Sequence, residues 1–252
     1  MNNHDMTVRE ALILLHEGTS RQGPGDDKFS KEILRSIRSS LPSKCIVGDL
    51  GCGTGTASLL LAEQLQQPVL CVDTSEEFLA TLMDRAVEAK LWHLITPHCA
   101  DMGKLDPKQC QFDLIWSEGA AYCLTFEGAI RSWRPLLRQG GIAVVSEMSW
   151  FDANYPDELY RYWKEAYPEM SDEEGNRIIA ERYGFELLAK KRLPTEAWWK
   201  NYYNPLLQLM EAHASTESKV LRETIEMTHQ EIDLFRRFSD HFGYTFYIMK
   251  AV

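Results

Sequence analysis

The stretch Cys45-Ile46-Val47-Gly48-Asp49-Leu50-Gly51-Cys52-Gly53-Thr54-Gly55 decides the fold of this 252-residue chain. It predicts a short apolar strand that ends in an acid, followed by three alternate glycines and a helix over about residues 57–66. Glycine tolerates positive φ and carries no Cβ, so Gly51, Gly53 and Gly55 let the backbone turn sharply and approach a ligand closely. The amide groups at the helix N-terminus then point toward that ligand. The stretch therefore predicts a site for a nucleotide-type cofactor.

A second apolar run, Pro68-Val69-Leu70-Cys71-Val72-Asp73-Thr74-Ser75, follows the predicted helix and also ends in a carboxylate. In a strand-helix-strand unit of about thirty residues, an acid at the tip of the second strand can accept hydrogen bonds from both hydroxyls of a ribose. A dinucleotide would bring its pyrophosphate close to Asp49, whose carboxylate would repel it. The ammonium and sulfonium groups of S-adenosylmethionine would instead be attracted. Asp49 and Asp73 together therefore favour S-adenosylmethionine as the cofactor.

The glycine stretch from Asp49 to Gly55, taken with Asp73, resembles the class I S-adenosylmethionine-dependent methyltransferases. The resemblance continues through Cys99-Ala100-Asp101-Met102, Phe112-Asp113-Leu114-Ile115-Trp116-Ser117-Glu118 and Leu136-Leu137-Arg138-Gln139-Gly140-Gly141-Ile142-Ala143-Val144-Val145, and covers about residues 45–150. It implies an α/β fold with the Rossmann-like seven-stranded methyltransferase sheet. A narrower similarity, to a small bacterial group with no assigned substrate, is carried by Arg21-Gln22-Gly23-Pro24-Gly25, Ser117-Glu118-Gly119-Ala120-Ala121-Tyr122 and Ser146-Glu147-Met148-Ser149-Trp150.

The whole chain, 1–252, is expected to form a single methyltransferase domain. Its predicted parts are an N-terminal helical cap (1–42), a cofactor-binding core (43–151), a helical substrate cover with one strand (152–242) and a final antiparallel strand (243–252). The cover is thus a helical insertion before the last strand, and Pro194 and Pro205 are expected to break it into shorter helices.

Ligands of such sheets bind at the carboxyl ends of the strands. Four acids follow predicted strands and are therefore expected to gather at one edge of the sheet: Asp49, Asp73, Asp101 and Glu118.

Composition and charge exclude several classes of partner. The chain carries 27 basic and 37 acidic residues, a formal net charge of −10, which opposes binding to a phosphate backbone. No stretch approaches the roughly 18 to 20 apolar residues needed to span a bilayer, and the first residues lack a signal-peptide pattern. The six cysteines form no closely spaced pair, and the histidines show no metal-ligand spacing. We expect a cytoplasmic protein, monomeric or homodimeric, without metal, nucleic acid or membrane insertion.

The predicted cofactor contacts follow from these motifs. Asp49 would receive the methionine amino group, directly or through water, and Asp73 would bind the ribose, although a short acid there could also cap the next helix. The resemblance places adenine at Asp101 and Met102, which could equally be a turn and a core residue. The predicted cofactor-binding residues are Gln22, Asp49, Gly51, Gly53, Gly55, Asp73, Thr74, Asp101, Met102, Ser117 and Glu118.

Glu118 is the candidate catalytic residue. It stands where amino-group methyltransferases of the superfamily often carry Asn or Asp followed by two prolines, and the sequence here is Ser117-Glu118-Gly119-Ala120. This difference disfavours an exocyclic amine of a base or a glutamine side chain as the acceptor. Glu118 could act as a general base, contact the methionine end of the cofactor, or cap a helix.

The acceptor is expected to be a small organic molecule, with the O-, C- or N-acceptor atom unresolved. Tyr122, Trp150, Trp199 and Tyr203 could line an apolar substrate pocket or belong to the core. This aromatic content favours a quinone-like or other aromatic carbon or oxygen acceptor. Two other functions stay open: a non-catalytic S-adenosylmethionine-binding protein, and a nicotinamide-dependent enzyme, for which the glycine spacing is wrong because no glycine follows three residues after the second.

Overall fold

The computed structural model describes residues 6–252 and has one mixed sheet with helices on both faces. The main strand order is β3-β2-β1-β4-β5-β8-β7, and only the pairings of β8 are antiparallel. The strands are β1 (Val47–Leu50), β2 (Val69–Asp73), β3 (Ile95–Cys99), β4 (Phe112–Ser117), β5 (Leu137–Trp150), β6 (Ser171–Asp172), β7 (Phe185–Arg192) and β8 (Phe242–Ala251). The Rossmann-like methyltransferase sheet predicted from the sequence is confirmed.

Helices connect the strands and cover the sheet. They are α1 (Val8–Leu15), α2 (Asp27–Ile37), α3 (Thr56–Leu65), α4 (Glu76–Glu88), α5 (Phe126–Trp133), α6 (Asp157–Ala166), α7 (Glu173–Arg182), α8 (Thr195–Trp198), α9 (Asn204–Ala212) and α10 (Lys219–Phe238). In α2 the apolar positions Ile33, Leu34 and Ile37 are buried on one face, and the Asp26 side chain caps the first turn. Strands β1 and β4 are buried along their whole length, as expected for parallel strands covered on both faces.

Two features differ from the sequence-based prediction. The sheet has an eighth, two-residue strand, β6, which pairs in parallel with the end of β5. Pro205 does not interrupt the helical segment: a π-helical stretch, Trp199–Tyr203, links α8 directly to α9, where Pro205 lies in the first turn. The proline lies where the hydrogen-bond pattern changes, since the amide of Asn204 donates to the carbonyl of Trp199, five residues back.

Strand β5 extends well beyond its neighbour at the carboxyl edge of the sheet. The register of β4 on β5 ends at Ser117 opposite Val145, whereas β5 continues to Trp150 and pairs with β8 over this extension. The 3-10 helix Ala121–Leu124 packs against β5 above the end of β4. These elements, the loop before α2 and the glycine loop enclose the edge at which ligands of parallel sheets bind.

No helix among residues 6–252 is both long enough and apolar enough to cross a membrane.

Candidate functional site

A cavity of about 450 Å³ lies at the carboxyl edge of the sheet, over β1, β2 and β4. The four acids expected to gather there all line it: Asp49, Asp73, Asp101 and Glu118. The loop before α2 supplies the opposite wall through Arg21, Gln22, Gly23 and Pro24, and the 3-10 helix adds Tyr122, Cys123 and Leu124. The volume lies within the range of roughly 300–1,000 Å³ that is typical of small-molecule sites.

The glycine loop is shaped for close approach. Gly51 has φ of +76°, and a Cβ at this position would lie 2.3 Å from the Cβ of Ala120 and 3.3 Å from the sulfur of Met102. Gly55 serves packing instead, because a Cβ there would lie 2.0 Å from Cδ1 of Leu82, and Gly55 is not among the residues that line the cavity. Only the first two glycines of the triplet therefore face the ligand space.

The backbone amides of this loop already have partners within the protein. Gly51 and Cys52 donate to the carbonyl of Val72 at 2.8 and 3.0 Å, and Gly53 donates to Oδ2 of Asp73 at 2.9 Å. The Thr54 amide donates to Oε1 of Gln22 at 3.1 Å. A pyrophosphate site needs such amides to point at the anion. The amides of residues 51–54 are therefore not free for an anion, which makes the loop unsuited to a dinucleotide.

Asp49 is a buried carboxyl at the end of β1. It is 1% exposed, and its Oδ2 accepts a hydrogen bond of 2.6 Å from Oγ of Ser58. Burial raises the pKa of Asp49 to about 7, since the Ser58 hydrogen bond offsets only part of the desolvation and the charges of Glu118 and Asp73 add to it. A bound cation would relieve this penalty, so Asp49 fits the ammonium of a cofactor.

Asp73 ends β2 with its carboxylate held by two backbone amides. Oδ2 accepts from Gly53 and Oδ1 from Ser75, both at 2.9 Å. The N-cap of α4 is Ser75, whose hydroxyl accepts from the amide of Phe78. Each carboxylate oxygen has a further lone pair, so Asp73 keeps acceptor capacity toward the cavity. The neighbouring Thr74 also lines the cavity.

Asp101 and Met102 line the far side of the cavity, beyond β3. Asp101 also forms a turn: its carboxylate accepts from the Gly103 amide at 2.9 Å and pairs with Lys104 at 2.8 Å. The Lys104 and Gly103 hydrogen bonds lower the pKa of Asp101. A turn at Asp101 and a place for Asp101 in the cavity wall were alternatives in the sequence. They are compatible in the structure, because Asp101 forms the turn and also lines the cavity.

Both carboxylate oxygens of Glu118 accept hydrogen bonds from the protein. Oε2 accepts from Arg21 at 2.8 Å, while Oε1 accepts from Oγ of Ser30 at 2.6 Å and from the Trp116 indole at 2.8 Å. The side chains of Arg21 and Glu118 are only 9% and 6% exposed. A carboxylate that accepts these three hydrogen bonds is poorly placed to take a proton from an acceptor. The geometry instead indicates that Glu118 positions Arg21 and the loop before α2.

Gln22 links that loop to the glycine loop. Its Oε1 accepts from both the amide and the hydroxyl of Thr54 at 3.1 Å, which orients the side-chain amide. Its Nε2 is buried without a hydrogen-bond partner, and the residue lines the cavity. A buried donor without a partner in the protein fits an acceptor group on a ligand bound in this cavity.

The remaining predicted site residues lie in several places. Ser117 is buried and donates to the carbonyl of Leu50, so it braces β4 against β1. Tyr122 lines the main cavity, but Trp150 lines a second cavity of about 280 Å³. Trp199 and Tyr203 line neither cavity: they pack with Phe235, at ring-centroid distances of 6.2 and 5.3 Å. The predicted four-residue substrate pocket is therefore not assembled as one wall.

Sequence reasoning missed the part played by Arg21 and Ser30, which hold Glu118. Arg21 stands in a motif quoted for its resemblance, but no spacing rule joins it to a residue 97 positions later. Among residues 6–252 no group of three or more His, Cys, Asp or Glu side chains is arranged to hold a metal ion.

Part of the chain matches a known protein family. Residues 47–141 match the family described as a methyltransferase domain. A search of curated proteins found no match. The chain has the class I S-adenosylmethionine-dependent methyltransferase fold, and the domain implies S-adenosylmethionine as the cofactor.

Solved structures match over nearly the whole chain. A methyltransferase from Geobacter sulfurreducens, in complex with S-adenosyl-L-homocysteine, is similar with a TM-score of 0.82 at 16% identity, covering 98% of this chain and 99% of that one. A methyltransferase from Thiobacillus denitrificans, with the same ligand, gives 0.82 at 16% identity, with 98% and 100% covered. The [4+2]-cyclase SpnF gives 0.74 at 19% identity, with 97% and 93% covered. At these identities the similarity shows the fold.

Proposed function

We propose that this protein is an S-adenosylmethionine-dependent methyltransferase that acts on a small organic molecule. The observation that carries the proposal is the cavity at the carboxyl edge of the sheet, where Asp49 suits an ammonium, Asp73 suits a ribose, and the amides of residues 51–54 are not free for a phosphate. The orphaned Nε2 of Gln22 would then donate to the cofactor's carboxylate. These residues fit S-adenosylmethionine.

The chemistry expected of the site is alignment more than activation. When bound, S-adenosylmethionine supplies a methyl group carried on a sulfonium. The sulfur is a good leaving group because it departs as a neutral thioether. The protein's task is to hold the acceptor in line with that methyl group, exclude water, and take a proton where the acceptor is still protonated. Arg21 and Gln22 support this by closing the loop before α2 over the cavity, and the loop is anchored through Glu118.

The direct test is calorimetric titration of the purified protein with S-adenosylmethionine, S-adenosylhomocysteine and NADH. We expect micromolar binding of the first two and none of NADH. Mixtures with amine, phenol and carbon acceptors, assayed for S-adenosylhomocysteine formation, then test turnover. This turnover assay is needed because the chain is also similar in fold to a protein described as a [4+2]-cyclase. Binding of the cofactor without turnover of any acceptor would favour the non-catalytic binding protein, and binding of NADH would refute the cofactor assignment.

We further predict that cofactor affinity depends on pH through Asp49. Because the pKa of Asp49 is about 7, the carboxyl is mostly protonated below pH 7 and loses its attraction for the cofactor's ammonium. The dissociation constant of S-adenosylmethionine should rise by up to about tenfold per pH unit below 7, and level off above it.

Calorimetry between pH 5.5 and 8 measures this dependence, and Asp49→Asn is the matched control. The variant should bind weakly at every pH, with a nearly flat profile. A wild-type dissociation constant that is constant from pH 5.5 to 8 would contradict the assignment of the ammonium to Asp49.

A further inference from the structure

Glu147 is a buried carboxyl that does not line the cofactor cavity. It lies on the extension of β5, two residues beyond the last residue that pairs with β4, and so at the same edge of the sheet as the cofactor cavity. It is 2% exposed, and neither carboxylate oxygen has a hydrogen-bond partner. A buried carboxyl without a partner is costly, so its presence needs an explanation beyond packing.

Two further buried polar groups are also unsatisfied, and one of them, on Tyr167, is near Glu147. The hydroxyl of Tyr167 and the indole nitrogen of Trp163 are buried without hydrogen-bond partners. Tyr167 lies close enough to Glu147 for each to affect the other's pKa, although they are not in hydrogen-bond geometry. Unsatisfied donors and acceptors that lie together indicate a polar ligand that the site is built to receive.

Glu147 lines neither cavity but lies near residues between them. Tyr122 lines the cofactor cavity and Tyr167 lines the second cavity, and their rings meet edge to face at a centroid distance of 6.4 Å. The charge of Glu147 acts on both phenols, so the carboxyl lies within electrostatic range of this tyrosine pair. Because Glu147 is 2% exposed, an amine reaches it only when these side chains move aside.

The second cavity is suited to the body of a small molecule with a positive or aromatic part. Trp150 and Tyr155 pack in its wall with ring centroids 4.2 Å apart, and Tyr160, Trp163 and Tyr167 add further aromatic lining. Aromatic faces attract cations as well as apolar groups. The charged residues that line this cavity are Asp152, Lys164 and Asp172.

We propose that Glu147 binds the amino group of the methyl acceptor, and that the acceptor is a small amine whose remaining atoms occupy the second cavity. The proposal rests on the methyltransferase function proposed above. Glu147 accepts hydrogen bonds from the amine, and the Tyr122 and Tyr167 rings flank it. An acceptor with only a carboxylate or phosphate would meet a buried acid and is excluded.

The proton balance assigns Glu147 a second task. An amine arrives as an ammonium and has no lone pair until it loses a proton, which passes to the Glu147 carboxylate. In a buried site the resulting neutral amine and neutral acid are favoured over the ion pair. Methyl transfer then forms the C–N bond from the nitrogen lone pair and breaks the C–S bond, whose electron pair leaves with sulfur. The positive charge moves from sulfur to nitrogen.

The proton affinity of Glu147 suits this task. Burial raises its pKa to about 8, and interactions with Tyr167 and the Met148 backbone offset only part of the effect. The titratable groups on which Glu147 acts from neighbouring elements are Tyr122, Cys123, Tyr167, Tyr244 and Tyr247. The pKa of each is itself raised, chiefly by burial, so all five stay neutral near pH 8. Burial also raises the pKa of Glu231, whose charge acts on Tyr122 and Tyr244, so the Glu147→Gln and Glu231→Gln variants together assign the titration.

The test is calorimetric binding of phenethylamine, propylamine and 2-phenylethanol to the protein saturated with S-adenosylhomocysteine. The alcohol matches phenethylamine in shape but lacks the amine. We expect at least one amine to bind the wild type, at least tenfold weaker binding of that amine to Glu147→Gln, and weaker binding of the alcohol to the wild type. Amine affinity should fall by up to tenfold per pH unit below 8 in the wild type and stay flat in the variant.

Two controls separate this inference from a folding defect and from the function on which it rests. Glu231→Gln changes another partly buried carboxyl, which accepts from the hydroxyl of Tyr203 at 2.8 Å, and should leave amine binding unchanged. S-adenosylhomocysteine should bind Glu147→Gln as it binds the wild type. Failure of the wild type to bind that ligand counts against the proposed function, and the amines are then titrated into the free protein. The inference is overturned if neither amine binds, if the alcohol binds as well as phenethylamine, or if Glu147→Gln binds amines normally.

Discussion

Replacement of Asp73 by alanine is expected to weaken binding of S-adenosylmethionine by at least about 100-fold. In the proposed function the carboxylate accepts both ribose hydroxyls, and hydrogen bonds to a charged acceptor contribute about 1.5–3 kcal/mol each. Two such bonds correspond to a loss of about 3–6 kcal/mol, where every 1.4 kcal/mol is a factor of ten in the dissociation constant. The variant also frees the amides of Gly53 and Ser75, which loosens the glycine loop.

Asp101→Ala is the matched control for this measurement. It removes a carboxylate from the same edge of the sheet, but one already occupied by Lys104 and the Gly103 amide. We expect it to weaken binding by less than about tenfold, the effect of one lost weak contact. Calorimetry with S-adenosylhomocysteine measures both variants, and circular dichroism checks that each remains folded. Equal effects of the two substitutions would contradict the assignment of the ribose to Asp73.

The cofactor half of the site could be predicted because its information is local in the sequence. Residues 45–55 and 68–75 carry an apolar run, an acid and a turn, and a parallel strand-helix-strand unit brings the two acids to one edge whatever the rest of the chain does. The structure places Asp49 and Asp73 together at the cavity, as this reasoning predicts. The cap of α4 is Ser75, because the short side chain next to the helix start reaches the Phe78 amide.

The acceptor half could not be predicted in the same way. Tryptophan and tyrosine residues recur at the same helical spacing whether they line a pocket or fill a core. The sequence pattern therefore could not decide which of these two places Trp199 and Tyr203 occupy. Tertiary packing decides: the Tyr203 hydroxyl donates to Glu231 on α10, and its ring contacts Phe235 on the same helix. Glu147 shows the reverse case, because an acid inside a strand carries no sequence signal that it will be buried without a partner.

The structural effect with the largest expected magnitude concerns the ion pair between Arg21 and Glu118. Removing one member of a buried ion pair leaves the other charge uncompensated and typically costs about 3–5 kcal/mol of unfolding free energy. We therefore expect Arg21→Met to lower the melting temperature by roughly 10 °C for a chain of this size. The loop before α2 should detach with it, because Glu118 is its anchor on the sheet, and S-adenosylmethionine affinity should fall as Gln22 loses its position.

Two further variants distinguish this anchoring role from catalysis by Glu118. Asp27→Asn neutralises the other partner of Arg21. The Asp27 side chain is 61% exposed, so this variant should lower the free energy of unfolding by less than about 1 kcal/mol. The double variant Arg21→Met/Glu118→Gln should recover much of the stability lost in Arg21→Met, because glutamine can still accept from Ser30 and Trp116 without a buried charge. Thermal unfolding measures all three. If Arg21→Met is as mild as Asp27→Asn, or if Glu118→Gln abolishes turnover while stability and cofactor affinity are unchanged, Glu118 acts in the reaction and the anchoring role is wrong.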